Sequence, residues 1–278
     1  MGMVPALLLT VTPDATPSWT QVLLYSLVPA AIMVVGAVVA VLRPPGAAIR
    51  SAILHFAAGV VFSVVAVELL PDIVARHRPL EVGLGFAIGV GVMLALRSLT
   101  RKAADKEKAG PTPSLPPGVL WASQTEPNAP PAAGALPMGL LTGVGIDLLI
   151  DGLLLGIGFA AGAEEGMLLA IALTIEVLSL GLATAVELQQ EGQTKARTVG
   201  IVAVLSALLV VGAGVGITVL KGASDNVMEL VLSFGLAALL FLVTEELLTE
   251  AHEEPESPWL TSAFFLGFLV FLILGMLV

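Results

Sequence analysis

The sequence predicts an all-α membrane protein whose chain crosses the bilayer eight times. Of its 278 residues, 57% are hydrophobic and only 12% are charged, and the mean hydropathy of +0.99 exceeds that of soluble domains. Eight apolar runs reach about 20 residues, the length that a helix needs to cross about 30 Å of hydrocarbon. Because lipid offers no partner to an unpaired backbone amide and the runs exceed barrel strands, we predict helices. The predicted spans 1 to 8 are residues 21–42, 50–74, 80–99, 137–161, 165–189, 199–220, 227–250 and 259–278.

The segments between the runs predict the topology. Residues 1–20 hold three prolines and no basic stretch, so we predict an exposed N-terminal segment rather than a signal peptide. Residues 100–136 begin with basic residues and continue rich in Pro, Ala and Gly, which predicts a disordered cytoplasmic loop. Nine Lys and Arg residues lie in the segments on the same side of the bilayer as this loop, and three lie in the segments on the other side. Because basic residues are enriched on the cytoplasmic side, we predict a cell (inner or plasma) membrane protein with both termini outside. The chain thus divides into spans 1–3 (21–99), spans 4–5 (137–189) and spans 6–8 (190–278).

The composition excludes several classes of function. The chain has no cysteine, which excludes disulfides and thiolate metal sites. A net charge of −10 without a basic patch is not typical of a protein that binds nucleic acid. No nucleophile arrangement, phosphate-binding glycine loop or ATPase motif occurs, so we expect neither an enzyme nor a bound cofactor. The expected surroundings are the lipid bilayer, and the oligomeric state, with a homodimer as one option, stays open.

Two segments indicate an internal repeat. "HFAAGVVFSVVAVELLPD" (55–72) and "SFGLAALLFLVTEELLTE" (233–250) share a Phe at position two and Glu-Leu-Leu at positions fourteen to sixteen, and both end on an acid. The predicted topology makes spans 2 and 7 antiparallel, so the repeat would be inverted, with spans 1–3 matching spans 6–8 around the central spans 4 and 5. Inverted repeats are typical of alternating-access transporters. The alternative is chance similarity between two helices of low complexity.

Three acids lie in the middle of predicted spans. Asp147 and Asp151 stand about 10 and 14 residues into span 4, and Glu176 about 11 residues into span 5, so all three fall near the bilayer centre. The i, i+4 spacing puts the two aspartates on one helix face, and the short link "GAEEG" makes spans 4 and 5 antiparallel neighbours. An unpaired charge at this depth costs at least about 2.5 kcal/mol. We therefore predict a hard-oxygen cation site, with a protonated, hydrogen-bonded aspartate pair as the alternative.

Two further residues are candidates for this site. Ser179 lies one turn after Glu176 and would offer a hydroxyl ligand, although a serine in a transmembrane helix more often bonds a carbonyl of its own helix. His55, near the inner end of span 2, would be a ligand or a proton carrier, and the alternative is a helix-contact residue. The predicted metal-site residues are therefore Asp147, Asp151, Glu176, Ser179 and His55.

Four acids occupy matching places in the repeat. Glu68 and Asp72 stand near the outer end of span 2, and Glu246 and Glu250 near the inner end of span 7. They are candidates for an entrance and an exit for cations. The alternative is that they face headgroup water, as acids at helix ends usually do.

These features together resemble the ZIP family of divalent-metal transporters. The resemblance covers the number of spans, the long loop after span 3 and the phrases "HFAAGVVF…VELLPD" and "EELLTEAHE", which look like the family's span-2 and span-7 endings. It implies eight spans, both termini outside and a metal site made by spans 4 and 5.

The family's metal-binding motifs are altered in this chain. Where the family has His-Asn-x-Pro-Glu-Gly in span 4, "DLLIDG" puts Asp147 at the histidine and Asp151 at the glutamate. Where span 5 resembles His-Glu-x-Pro-Glu-Gly, "EVLSLG" puts Glu176 at the histidine and Leu180 at the second glutamate. A further glutamate of span 6 would fall near Leu209. The resemblance therefore implies a single site whose imidazoles have become carboxylates.

The sequence as a whole predicts a transporter that moves a divalent cation through a central carboxylate site by alternating access. An all-oxygen set favours a hard ion such as manganese over zinc. One alternative keeps the fold and makes the substrate a proton or a small organic cation. Another, suggested by Leu180 and Leu209, is a transport-inactive membrane scaffold or sensor.

Overall fold

In a computed structural model of the chain, the described residues form eight helices that are long and apolar enough to cross a membrane. The structure describes residues 18–108, 136–220, 223–252, 255 and 257–277. No strand occurs among these residues. The eight helices are α1 Trp19–Leu42, α2 Ala47–Arg76, α3 Pro79–Lys108, α4 Met138–Ala161, α5 Ala163–Gln190, α6 Lys195–Leu220, α7 Asp225–Ala251 and α8 Pro258–Gly275. The prediction of an all-α fold with eight apolar helices of membrane-crossing length is confirmed for these residues.

The helix ends follow local sequence signals. Ser18 caps α1 through a capping box with Gln21, and Ser257 caps α8, whose first residue is Pro258. α3 continues past the predicted end of span 3 as far as Lys108, so the first residues of the predicted loop are helical. The rest of that loop, residues 109–135, and the predicted N-terminal segment up to residue 17 lie outside the described residues.

Two of the membrane helices change their hydrogen-bonding pattern near one end. In α2, residues Val65–Leu69 form a π-helical segment, and in α7 residues Leu242–Leu247 form another. Such segments insert an extra residue into the turn and are frequent at functional sites. Both fall within the two similar sequence segments, and they include Glu68 and Glu246 at the matching position.

The bundle is built from four extensive helix pairs. α4 packs along α6, α1 along α5, α2 along α8, and α3 along α7. α2, α5 and α7 are the most buried helices, whereas α3 and α8 expose most of their apolar surface, as helices at a lipid boundary do. The core therefore lies around α5, the helix that carries Glu176.

Glycines bring the central helices close together. A Cβ atom at Gly152 of α4 would collide with the backbone of Leu209 in α6, and one at Gly181 of α5 would collide with the backbone of Met33 in α1. Small residues allow such close backbone approach in membrane helices. Gly152 directly follows Asp151, so this contact holds the segment of α4 that bears the acids.

Candidate cation site

The hairpin of α4 and α5 brings the three mid-span acids together. α4 ends at Ala161 and α5 begins at Ala163, so a single residue separates the two helices. Counted from this turn, Glu176 lies at a depth between Asp151 and Asp147. One ligand oxygen from each of these three carboxylates lies within 4.8 Å of the other two. We call Asp147, Asp151 and Glu176 the central carboxylates.

Two of the central carboxylates are buried, and one oxygen of each has no hydrogen-bond partner. Asp151 is 1% exposed and Glu176 is 2% exposed. The Oδ2 atom of Asp151 and the Oε2 atom of Glu176 are buried without a hydrogen bond. Neither α4 nor α5 contains a Lys or Arg, and the ion pairs found among the described residues lie at the two ends of the bundle. Buried charges are usually paired or coordinate metals, so this arrangement requires a cation or protons.

A fourth carboxylate, from α7, contacts this group. The side chain of Glu246 is hydrogen-bonded to that of Asp147, and its charge interacts with those of Asp151 and Glu176. The sequence pointed to Glu246 only as an exit residue near the end of span 7. No sequence signal places it beside Asp147, because the contact depends on how α7 crosses α4.

A cavity of about 370 Å³ connects the site with one end of the bundle. Its lining includes Asp147, Leu180, Arg97 of α3, and Glu246 and Glu250 of α7. We call this end of the bundle the Arg97 end. Arg97 forms an ion pair with Glu245, the neighbour of Glu246 in α7. Positively and negatively charged side chains therefore line the cavity that reaches the central carboxylates.

The structure describes the surroundings of Ser179 and His55, whose roles as ligands stay predictions. The hydroxyl of Ser179 is buried and donates a hydrogen bond to the carbonyl of Glu176. His55 lies outside the group of ligand atoms. Its Nδ1 atom is 2.9 Å from the carbonyl oxygen of Ser51, and its ring contacts that of His252 with the centroids 5.1 Å apart. These contacts match the alternatives stated for both residues, a serine bonded within its helix and a helix-contact histidine.

The acids predicted to form an entrance lie at the opposite end of the bundle, which we call the Arg76 end. Asp72 accepts a hydrogen bond from Arg76 at 3.0 Å. Arg76 also lies 3.7 Å from the fully buried carboxylate of Glu229 in α7. Glu68 is partly buried, within electrostatic range of Glu164 and Glu165 in the α4–α5 hairpin. Sequence analysis did not single out Glu229, although an acid five residues into an apolar helix was a visible signal.

The chain matches no protein-family model and no curated protein. The fold and the site therefore define only a class, an integral membrane protein with eight candidate spans and a buried carboxylate cluster that could bind a metal ion.

Proposed function

We propose that this protein is a membrane transporter of divalent metal cations and that the central carboxylates bind the transported ion. The observation that carries the proposal is the convergence of three carboxylates within 4.8 Å at mid-span, two of them buried, on helices that have no basic residue. A divalent cation compensates the negative charge that the helices leave uncompensated, and carboxylate oxygens are the ligands that hard cations take.

The nature of the ligands favours a hard ion. All the atoms brought together are carboxylate oxygens, and the imidazole of His55 stands outside the group. Carboxylates suit Mn²⁺, Mg²⁺ and Ca²⁺, whereas imidazole suits Zn²⁺. Mn²⁺ is therefore the ion that we propose as substrate, with Zn²⁺ as the comparison.

The packing supports alternating access between two related halves. The predicted inverted repeat would relate spans 1–3 to spans 6–8, and span 4 to span 5. Under this relation the α1–α5 pair corresponds to the α6–α4 pair, and the α2–α8 pair corresponds to the α7–α3 pair. All four pairs occur among the most extensive contacts of the bundle. The π-helical segments of α2 and α7 match under the same exchange. The proposed transporter is ZIP-like, with a cation site between inverted repeats.

The cavity supports a route from the site to the Arg97 end. Glu246 and Glu250 line this route with Asp147, and acids along a cavity concentrate cations. At the Arg76 end, Arg76 and Glu229 pack α2 against α7. The proposed cycle opens the two ends in turn, so the ion is never connected to both sides at once.

The test is uptake of Mn²⁺ by proteoliposomes that contain the purified full-length protein. Wild type should take up Mn²⁺ faster than Zn²⁺, and Asp151→Asn and Glu176→Gln should abolish the uptake. Glu164→Gln, in the exposed part of the α4–α5 hairpin, is a matched control that removes an acid from the same helix as Glu176 and should leave the rate unchanged.

Each result has a defined meaning. Unchanged Mn²⁺ uptake in both central variants would overturn the assignment of the site. A proton flux that depends on Asp151 and Glu176 but needs no metal would make the substrate a proton. Normal membrane assembly without flux of Mn²⁺, Zn²⁺ or protons would instead support a scaffold or sensor.

A further inference from the structure

Glu246 differs from the other acids of α7 in where its side chain is held. Glu245 and Glu246 are neighbours in the π-helical segment Leu242–Leu247, yet they have different partners. Glu245 is 42% exposed and pairs with Arg97, whereas Glu246 is hydrogen-bonded to Asp147. Successive residues of a helix point in directions about 100° apart. The π-helical turn therefore directs Glu245 towards Arg97 and Glu246 towards the central carboxylates.

The contact between Glu246 and Asp147 is of a kind that a cation can replace. Two ionised carboxylates are both acceptors, so they bond to each other only through a shared proton. A cation between them satisfies one oxygen of each group without that proton. Both residues line the same cavity, so an ion in that cavity has access to both carboxylates.

The number of oxygen ligands that a hard cation needs also favours a role for Glu246. Three carboxylates supply at most six oxygens, and they supply three when each binds through one atom. Hard divalent cations take six or more oxygen ligands. Asp151 and Glu176 each offer a buried oxygen without a partner, so the centre is arranged to bind and not merely acidic. A fourth carboxylate and waters from the cavity would complete the coordination sphere.

We propose that Glu246 is a fourth carboxylate ligand of the cation, supplied by the π-helical turn of α7 on the cavity side of the central carboxylates. This inference rests on the proposed function. It makes α7 part of the binding site, so that movement of α7 relative to α4 changes the coordination of the ion.

The test compares Glu246→Gln with Glu245→Gln in the purified full-length protein. Each variant removes one charge from the same turn, so a general electrostatic effect would change both alike. Mn²⁺ alone is the probe, and its free concentration is read from the EPR signal of aqueous Mn²⁺. We expect the dissociation constant to rise at least about tenfold for Glu246→Gln and less than about threefold for Glu245→Gln.

A second readout reports coordination directly. Loss of one protein ligand admits one more water to the ion, so solvent protons should relax faster per bound Mn²⁺ in Glu246→Gln than in wild type. A purely structural role would lower the amount of bound Mn²⁺ without changing this relaxation. If Glu246→Gln fails to assemble, Glu246→Asp keeps the charge on a shorter side chain and should show an intermediate dissociation constant.

The outcomes separate the two proposals. If Asp151→Asn loses Mn²⁺ while Glu246→Gln binds like wild type, the role of Glu246 is wrong and the proposed function stands. Equal weakening by Glu245→Gln and Glu246→Gln also overturns the role of Glu246. If wild type binds no Mn²⁺ at millimolar concentration, or Asp151→Asn binds it unchanged, the proposed function fails and this inference fails with it.

Discussion

Buried carboxylates occur in two regions of this molecule, and the chain treats them differently. At the Arg76 end, the fully buried Glu229 lies 3.7 Å from Arg76, which also binds Asp72. At the centre, Asp151 and Glu176 are almost as buried, but neither helix that carries them has a basic residue. Among the described residues, Glu229 thus has an arginine as its counter-charge, and the central carboxylates form no ion pair with a basic residue.

This difference is the one expected between a structural charge and the proposed cation site. An arginine side chain is fixed to its helix, so the pair of Arg76 and Glu229 can only hold α2 against α7. A site for a mobile ion has to leave its charge open to that ion, at a cost to the folded state. We infer that Arg76, Asp72 and Glu229, together called the Arg76 cluster, stabilise the bundle. We also infer that the central carboxylates reduce its stability until a cation binds.

The largest expected effect tests the structural side of this comparison. Arg76→Met leaves the buried carboxylate of Glu229 without its counter-charge and should lower the free energy of unfolding by about 3 kcal/mol. The measurement is unfolding by SDS titration in mixed micelles. The double variant Arg76→Met, Glu229→Gln should recover most of the loss. A single variant as stable as wild type, or a double variant as unstable as the single one, would contradict the assigned role of this pair.

The next effect tests the functional side. Mn²⁺ at a hundred times its dissociation constant should raise the free energy of unfolding of wild type by about 2.7 kcal/mol, because it binds only the folded protein. Asp151→Asn should lose this gain, and Arg78→Ala at the far end of the bundle should keep it. The measurement is the same titration with and without Mn²⁺. An equal gain in Asp151→Asn and wild type would remove the distinction between the two regions.

A smaller effect tests what holds the centre in place without ion pairs. Gly152→Ala would push α4 away from the backbone of Leu209 in α6 and should cost about 2 kcal/mol, as overpacking does. It should also weaken Mn²⁺ binding, because Asp151 is the preceding residue. Gly200→Ala in α6, where a Cβ atom meets nothing within 4 Å, is the control and should be neutral or slightly stabilising. If both variants lost a similar free energy of unfolding, the close contact of α4 with α6 at Gly152 would not be what holds Asp151 in place.

The smallest effect concerns an ion pair at the surface. Arg78 lies 3.8 Å from Asp225, whose side chain is 85% exposed. Exposed pairs of this kind contribute at most about 1 kcal/mol, so Arg78→Ala should change the free energy of unfolding by less than that. A loss as large as that of Arg76→Met would mean that burial of Glu229 is not what distinguishes the Arg76 cluster.

Much of the fold was predictable because it depends on local properties of the chain. The length and hydropathy of each run determine whether it can cross a bilayer, and all eight predicted spans correspond to helices. The depth of Asp147, Asp151 and Glu176 follows from counting residues along two helices joined by one residue. The π-helical segments were not predicted, since they depend on small shifts in backbone hydrogen bonding that composition does not encode.

The site was predictable only in part. The i, i+4 spacing and the short link were enough to expect the central carboxylates together. The contacts of Glu246 with Asp147 and of Glu229 with Arg76 join residues far apart in sequence. Asp72 was a candidate for an entrance because it matches Glu250 in the repeat, and that role stays a prediction. Its ion pair with Arg76 was not predicted. A sequence shows which charges exist, but their partners depend on neighbouring helices.

By itself the sequence determined that this is an eight-span helical membrane protein with three acids at one depth in adjacent helices. Hydropathy, periodicity and a one-residue link are properties of neighbouring residues, so no knowledge of the packing was needed. Only the tertiary structure decided that α7 brings Glu246 to the centre, that a cavity reaches it from the Arg97 end, and that Arg76 compensates Glu229. These contacts depend on how helices cross, which close packing of glycines and side chains decides across the whole bundle.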